Sequence, residues 1–165
     1  MKFTDTEQPL TPEEIKFYEK RYGFVFPKDY VKFLCTYNGG KPEQEIFDFG
    51  SNASIVHTLF GFCRNDYKNA ERYYYSVYSD RIPSNTFTIG DDPGGNIILI
   101  SIRGEDYGKI YFWDHEREAD EGEEPTYDNM TLIADSFDDF IHNLRDETEA
   151  ERQLIDQLCD DVTKK

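Results

Sequence analysis

The chain is short of cysteine, of positive charge and of long apolar runs, and each shortage excludes something. Three cysteines, Cys35, Cys63 and Cys159, stand far apart in 165 residues, with no Cys-x-x-Cys pair and no histidine beside them. An odd and scattered set argues against a disulfide framework and against a zinc site, so reduced thiols in a cytoplasmic protein are expected. No apolar run approaches the roughly 18 residues of a membrane span, and the first thirty residues lack a signal-peptide pattern. The expectation is a soluble protein that starts at Met1, with no membrane partner. Eighteen bases against 34 acids leave a net charge of −16. That excess disfavours direct contact with nucleic acid and favours a cationic partner.

Catalytic signatures are also missing. No serine sits in Gly-x-Ser-x-Gly, and no cysteine has the context of a nucleophile. His57, His115 and His142 have no neighbour at metal-ligand spacing, and residues adjacent on a strand, as in Asp114-His115-Glu116, point to opposite faces. Asp91 and Asp92 sit in a glycine-bearing turn, but Pro93 breaks the acidic pair and no calcium-loop alternation follows. Gly90, Gly94 and Gly95 lead into a strand and lack the Lys-Ser/Thr of a phosphate loop. No enzyme activity, metal or cofactor is expected.

What is present is core material and punctuation. Aromatic residues make up 16% of the chain, and a domain of this length buries roughly 70% of its unfolded surface. One domain over residues 1–165 is expected. Thr11-Pro12-Glu13-Glu14 reads as a capping box with proline at the first helical position. Ile15, Tyr18 and Tyr22 follow at helical spacing, and Gly23 suits a left-handed helix end. Pro27 opens a second helix with Tyr30, Phe33, Leu34 and Tyr37 as its stripe, closed by Asn38-Gly39-Gly40. From Ile46 to Phe62 the pattern is strand-like, clearest over Ile55 to Phe60. Asn65 is placed to cap a third helix through Tyr67, Ala70, Tyr74 and Val77, and the nearby tyrosines read as packing residues.

Beyond them Phe87 to Ile89, Asn96 to Ile102 and Lys109 to Trp113 predict three antiparallel strands joined by short turns. Met130 to Ala134 predicts another strand. Ser136 caps a helix that buries Phe137, Phe140, Ile141 and Leu144. A last helix is expected from Glu149 to Cys159, with Leu154, Ile155 and Leu158 inward. The class is therefore α+β, a twisted antiparallel β-sheet with helices packed around it.

The tract from Asp114 to Glu124 holds seven carboxylates against one arginine, and Asp135 to Lys165 adds ten acids against four bases. If both lie on one face, that face is strongly negative and steers a basic protein. The residues expected to meet such a partner are Asp91, Asp92, Asp114, Glu116, Glu118, Asp120, Glu121, Glu123 and Glu124, with Trp113 as a central aromatic anchor.

Two ordered motifs, about fifty residues apart, carry a family resemblance. Ile15-x-x-Tyr18-Glu19-x-x-Tyr22-Gly23-Phe24-x-Phe26-Pro27-x-Asp29-Tyr30-x-x-Phe33-Leu34-x-x-Tyr37-Asn38-Gly39-Gly40 resembles the N-terminal signature of the SUKH superfamily, also called the Smi/Knr family. Ile89-Gly90-Asp91-Asp92-Pro93-Gly94-Gly95-Asn96 and Gly108 to His115 resemble its second signature. The resemblance implies an antiparallel-sheet α+β fold. For bacterial members it implies an immunity protein that binds a cognate toxin, frequently a nuclease, in the cytoplasm; for fungal members it implies a regulatory interaction module. It transfers no catalytic residues, and it makes the motif residues fold determinants before contacts. The expected partner is a basic toxin, bound by a monomer or weak dimer.

Overall fold

The first helix is built by its ends. Thr11 accepts the Glu14 N–H at 3.2 Å through its hydroxyl, and the Glu14 carboxylate accepts the Thr11 N–H at 2.8 Å. This reciprocal capping holds the Glu14 carboxyl below the usual carboxylate range and starts α1 (Pro12–Tyr22) after the short strand β1 (Phe3–Thr4). Gly23 ends it at φ +73°, where a Cβ would be strained, and its N–H donates to the Glu19 carbonyl. Pro27 precedes α2 (Lys28–Leu34), which buries Tyr30, Phe33 and Leu34. The computed structural model describes residues 1–63, 66–149 and 151–152.

The loop after α2 is pinned from inside. Asn38 is buried at φ +52°, donates its amide to the carbonyls of Gln8 (2.8 Å) and Phe62 (3.1 Å), and accepts the Phe62 N–H at 2.8 Å. A Cβ on Gly61 would stand 2.2 Å from the Asn38 carbonyl oxygen, so the two segments touch through backbone. Strand β2 (Lys41–Pro42) then pairs with β1. Strands β3 (Ile46–Phe49) and β4 (Asn52–Ile55) form a separate hairpin.

The segment expected as one strand over Ile55 to Phe60 is divided, because the backbone changes partner there. Val56 donates to Glu45, whereas His57 donates to Asp91, so the chain leaves the hairpin and enters the main sheet as β5 (Thr58–Leu59).

The expected third helix is irregular. Asn65 lies outside the described residues. Asn69 is the cap observed, accepting the Arg72 N–H at 3.0 Å ahead of α3 (Ala70–Arg72). Tyr73–Val77 then widens into a π-turn, with Tyr78 N–H donating to Tyr73. The widening accompanies ring packing: Tyr73 stacks on Phe60 at 4.2 Å, and Tyr74 meets Phe87 at 4.9 Å.

The main sheet adds β6 (Thr86–Asp91), β7 (Ile97–Ser101), β8 (Ile110–Trp113) and β9 (Met130–Ala134) to β5, all antiparallel in the order β5-β6-β7-β8-β9. It is followed by α4 (Phe137–Asn143), capped by Ser136 accepting the Asp139 N–H. One face carries Phe87, Ile89, Ile98, Ile100, Ile110 and Phe112 into a large core with the helices. The other carries Ile97, Leu99 and Trp113 against Tyr78 and Ile82. The fold is α+β, as the patterns predict. Of the expected last helix the described part is its start, where Thr148 and Glu151 cap each other and Arg145 grips both Glu151 and Asp48. Leu154, Ile155, Leu158 and Cys159 lie outside the described residues.

Replacing Asn38 with alanine strands the Phe62 N–H in the interior, so the variant should lose roughly 1–3 kcal/mol of stability. Urea unfolding with an unchanged slope is the measurement.

Candidate functional site

The β6–β7 turn spends its acids on itself. Asp92 is 6% exposed, and its carboxylate accepts from the Asn96 backbone N–H (2.8 Å), the Asn96 side-chain amide (3.0 Å) and the Ser54 hydroxyl (2.9 Å). Asp91 accepts from the Thr58 N–H and lies 3.2 Å from His57 Nδ1. Burial raises the Asp91 carboxyl above its ordinary range, and the facing His57 opposes that shift. Both residues were expected at a partner surface. Asp92 is not available to one, and Asp91 is largely enclosed.

The same turn roots the acidic tract. Because the Asn96 amide nitrogen faces the carboxylate of Asp92, its oxygen faces His115 and accepts both the His115 N–H (3.1 Å) and Nδ1–H (2.8 Å). His115 therefore carries a proton on Nδ1. Asp114 accepts the Glu116 N–H at 3.0 Å and opens a short 3₁₀ turn over His115–Arg117.

Trp113 corrects the expected anchor role. It is 1% exposed, faces Ile97 across the sheet, and meets the Tyr78 ring edge-on at 5.5 Å. The second sheet face is covered, so the indole is core and cannot reach a partner in the folded chain. Arg81 closes the cover: its guanidinium lies 4.8 Å from the Tyr78 ring centre and 5.8 Å from that of Trp113, and forms a two-pronged pair with Glu118 at 2.8 and 2.9 Å. Nothing in the spacing around Asp80-Arg81-Ile82-Pro83 marks Arg81 in the sequence.

What remains on the surface is a smaller acidic set than the sequence suggests. Glu116, Asp120, Glu121, Glu123 and Glu124 are exposed, whereas Glu118 is engaged. A cleft of about 270 Å³ is bounded by Asp80, Arg81, Pro125 and the tract from Glu118 to Glu123. Its one base is already clamped by Glu118. The Asp135 end of the chain does not begin on this side: Asp135 pairs with Lys109 at 3.2 Å, at the end of β8 opposite Asp114. Among the described residues the expected single acidic face is therefore divided.

Among the described residues no cluster of three His, Cys, Asp or Glu side chains could hold a metal, and no helix is long and apolar enough to cross a membrane. The model of the SMI1 / KNR4 family (SUKH-1) matches residues 9–143. The SPbeta prophage-derived uncharacterized protein YokK of Bacillus subtilis (strain 168) is 32% identical, in an alignment covering 98% of each chain.

The raised Asp91 carboxyl fixes a sign. Between the ordinary carboxylate range and its raised value the folded state holds more protons than the unfolded one, so stability falls as pH rises through that window. Asp91→Asn removes the charge and should be more stable than the parent at neutral pH. The two should converge in acid, as followed by thermal unfolding across pH.

Proposed function

The chain belongs to the SMI1 / KNR4 family (SUKH-1), and from that membership we propose that it acts as a single-domain, non-catalytic immunity protein of the cytoplasm. Its partner is a cognate toxin with a basic, nucleic-acid-directed domain. The observation that carries this reading is the group of five exposed carboxylates, Glu116, Asp120, Glu121, Glu123 and Glu124, on one rooted loop beside an acidic cleft. The prophage derivation of YokK suits a gene that travels with such a toxin.

On a toxin these carboxylates stand where nucleic-acid phosphates would bind, and they occlude the basic substrate cleft. The root matters here. Asn96 and His115 hold one end of the tract and Arg81 holds Glu118, so the charges approach the partner with part of their ordering cost already met by the fold. Steering by such a loop acts over a Debye length of about 8 Å at physiological salt. Since Trp113 is interior, the apolar companion of the tract is Tyr127, exposed just beyond it and fixed through its hydroxyl to Asp106 at 2.9 Å.

Replacing Glu116, Asp120, Glu121, Glu123 and Glu124 with glutamine or asparagine should slow association with the toxin roughly tenfold or more at low salt, with a smaller loss at high salt. The partner is obtained by co-expression with the neighbouring gene product, scored for rescued growth and a recovered complex. An unchanged association rate removes the tract from the mechanism. A stable complex without rescue favours a regulatory interaction module instead.

A further inference from the structure

Among the described residues no strand pairs with the outer edge of β9. Which backbone groups point out there follows from ladder alternation. The Asp114 N–H donates to the Asn129 carbonyl at 3.0 Å, which makes those residues a hydrogen-bonded pair. Trp113 faces Met130, Phe112 faces Thr131 and Tyr111 faces Leu132. Every second pair in such a ladder turns its N–H and C=O away from its neighbour strand, and here these are the pairs of Met130 and Leu132. The Met130 N–H is satisfied by Tyr127 at 3.0 Å. Leu132 thus turns its N–H and C=O away from β8, and the residue is 45% exposed, with β3 packed close to β9 further along the edge.

A groove runs along this edge. One part, about 290 Å³, is lined by Leu132, Ile133, Asp135 and Asp139, and the next, about 310 Å³, by Ile133, Phe140, Asp48 and Asn143. No lysine or arginine lines either part. Asp48 and Asp135 have salt-bridge partners in Arg145 and Lys109, yet their side chains stay 59% and 75% exposed and can accept further donors.

We propose that the β9 edge is a docking surface for an extended, cationic segment of the partner protein, added as a strand beside Leu132. The outward backbone pair selects an extended chain, because only a strand matches its spacing. The acids select positive charge. A second copy of this chain is disfavoured as occupant, since each carries a net charge of −16. An added strand sends alternate side chains to opposite faces. Apolar residues then lie beside Leu132 and Tyr111, and lysines or arginines between them face Asp48 and Asp139. The edge also continues directly from the acidic loop, which re-enters the sheet at Met130. A partner steered by the loop meets this strand next.

The proposal rests on the cationic-partner reading but fails separately from it. The probe is a blocked hexapeptide of alternating lysine and valine, compared with its glutamate–valine counterpart, on the full chain. Amide exchange by NMR is followed at Leu132 and, independently, at Glu121 and Glu123 in the loop. The lysine peptide should slow exchange at Leu132 by about fivefold or more, and the glutamate peptide should not. Leu132→Pro removes the outward N–H and the apolar leucine side chain but no ladder hydrogen bond, and should abolish the peptide-induced shifts at Ile133 and Asn143 with the far-UV spectrum preserved. Should that variant misfold, D135N/D139N must weaken the lysine peptide's effect. Absence of protection at Leu132 overturns the edge site whatever the loop does, and the loop's response judges the acidic reading by itself. Equal protection by both peptides overturns the cationic occupant. Slow exchange at Leu132 in the free chain also overturns the proposal, dependence on protein concentration then pointing to a second copy and independence to this chain's own residues.

Discussion

Strand β7 has no face to give to water, and the rest of the architecture follows from that. All five of its residues are buried, with Ile98 and Ile100 turned to the helices and Ile97 and Leu99 to the other side. An antiparallel sheet commonly leaves one face solvated. Here both must be covered, yet α1, α2 and α4 cover only one. The second cover is made from the chain leaving the π-turn, Tyr78 and Ile82, with Arg81 laid over the Tyr78 and Trp113 rings. Glu118 completes it by gripping Arg81, and so the acidic loop is tied to the core between its exposed residues Glu116 and Asp120.

The residues that look most like chemistry in this chain are therefore mostly architecture. Asp92 satisfies a turn, Asn96 transmits that order to His115, and Trp113 fills the layer beneath Arg81. The same economy holds on the other side of the molecule, where Asn38 joins the end of α2 to the chain at Phe62 and Gly61 lies against its carbonyl. The proposed binding surfaces use groups that the described fold does not consume: the tips of the acidic loop and the edge of β9 with which no described strand pairs. Both border the same strand.

Much of this was legible in residue order. Thr11, Glu14 and Gly23 mark the ends of α1 because capping is local chemistry among neighbours, and the strands β6 to β9 show as apolar runs cut by glycine turns. The division after Ile55 was hidden, since changing hydrogen-bond partner from Glu45 to Asp91 leaves no trace in composition. The π-turn was hidden too, because the widening accompanies the packing of Tyr73 and Tyr74 on distant rings. At the candidate site the acidic tract was visible as charge, but the interior place of Trp113, the engagement of Asp92 and Glu118, and the part played by Arg81 were not.

By itself the sequence determined the fold class, the ends of α1, the start of α4 and the sign of the net charge, because periodicity, capping and net charge are properties of near neighbours and of sums. Only the tertiary structure decided which charges are free. That depends on long-range pairs such as Arg81 with Glu118 and Ser54 with Asp92, formed when segments far apart in the chain are pressed together to cover a sheet that is apolar on both faces.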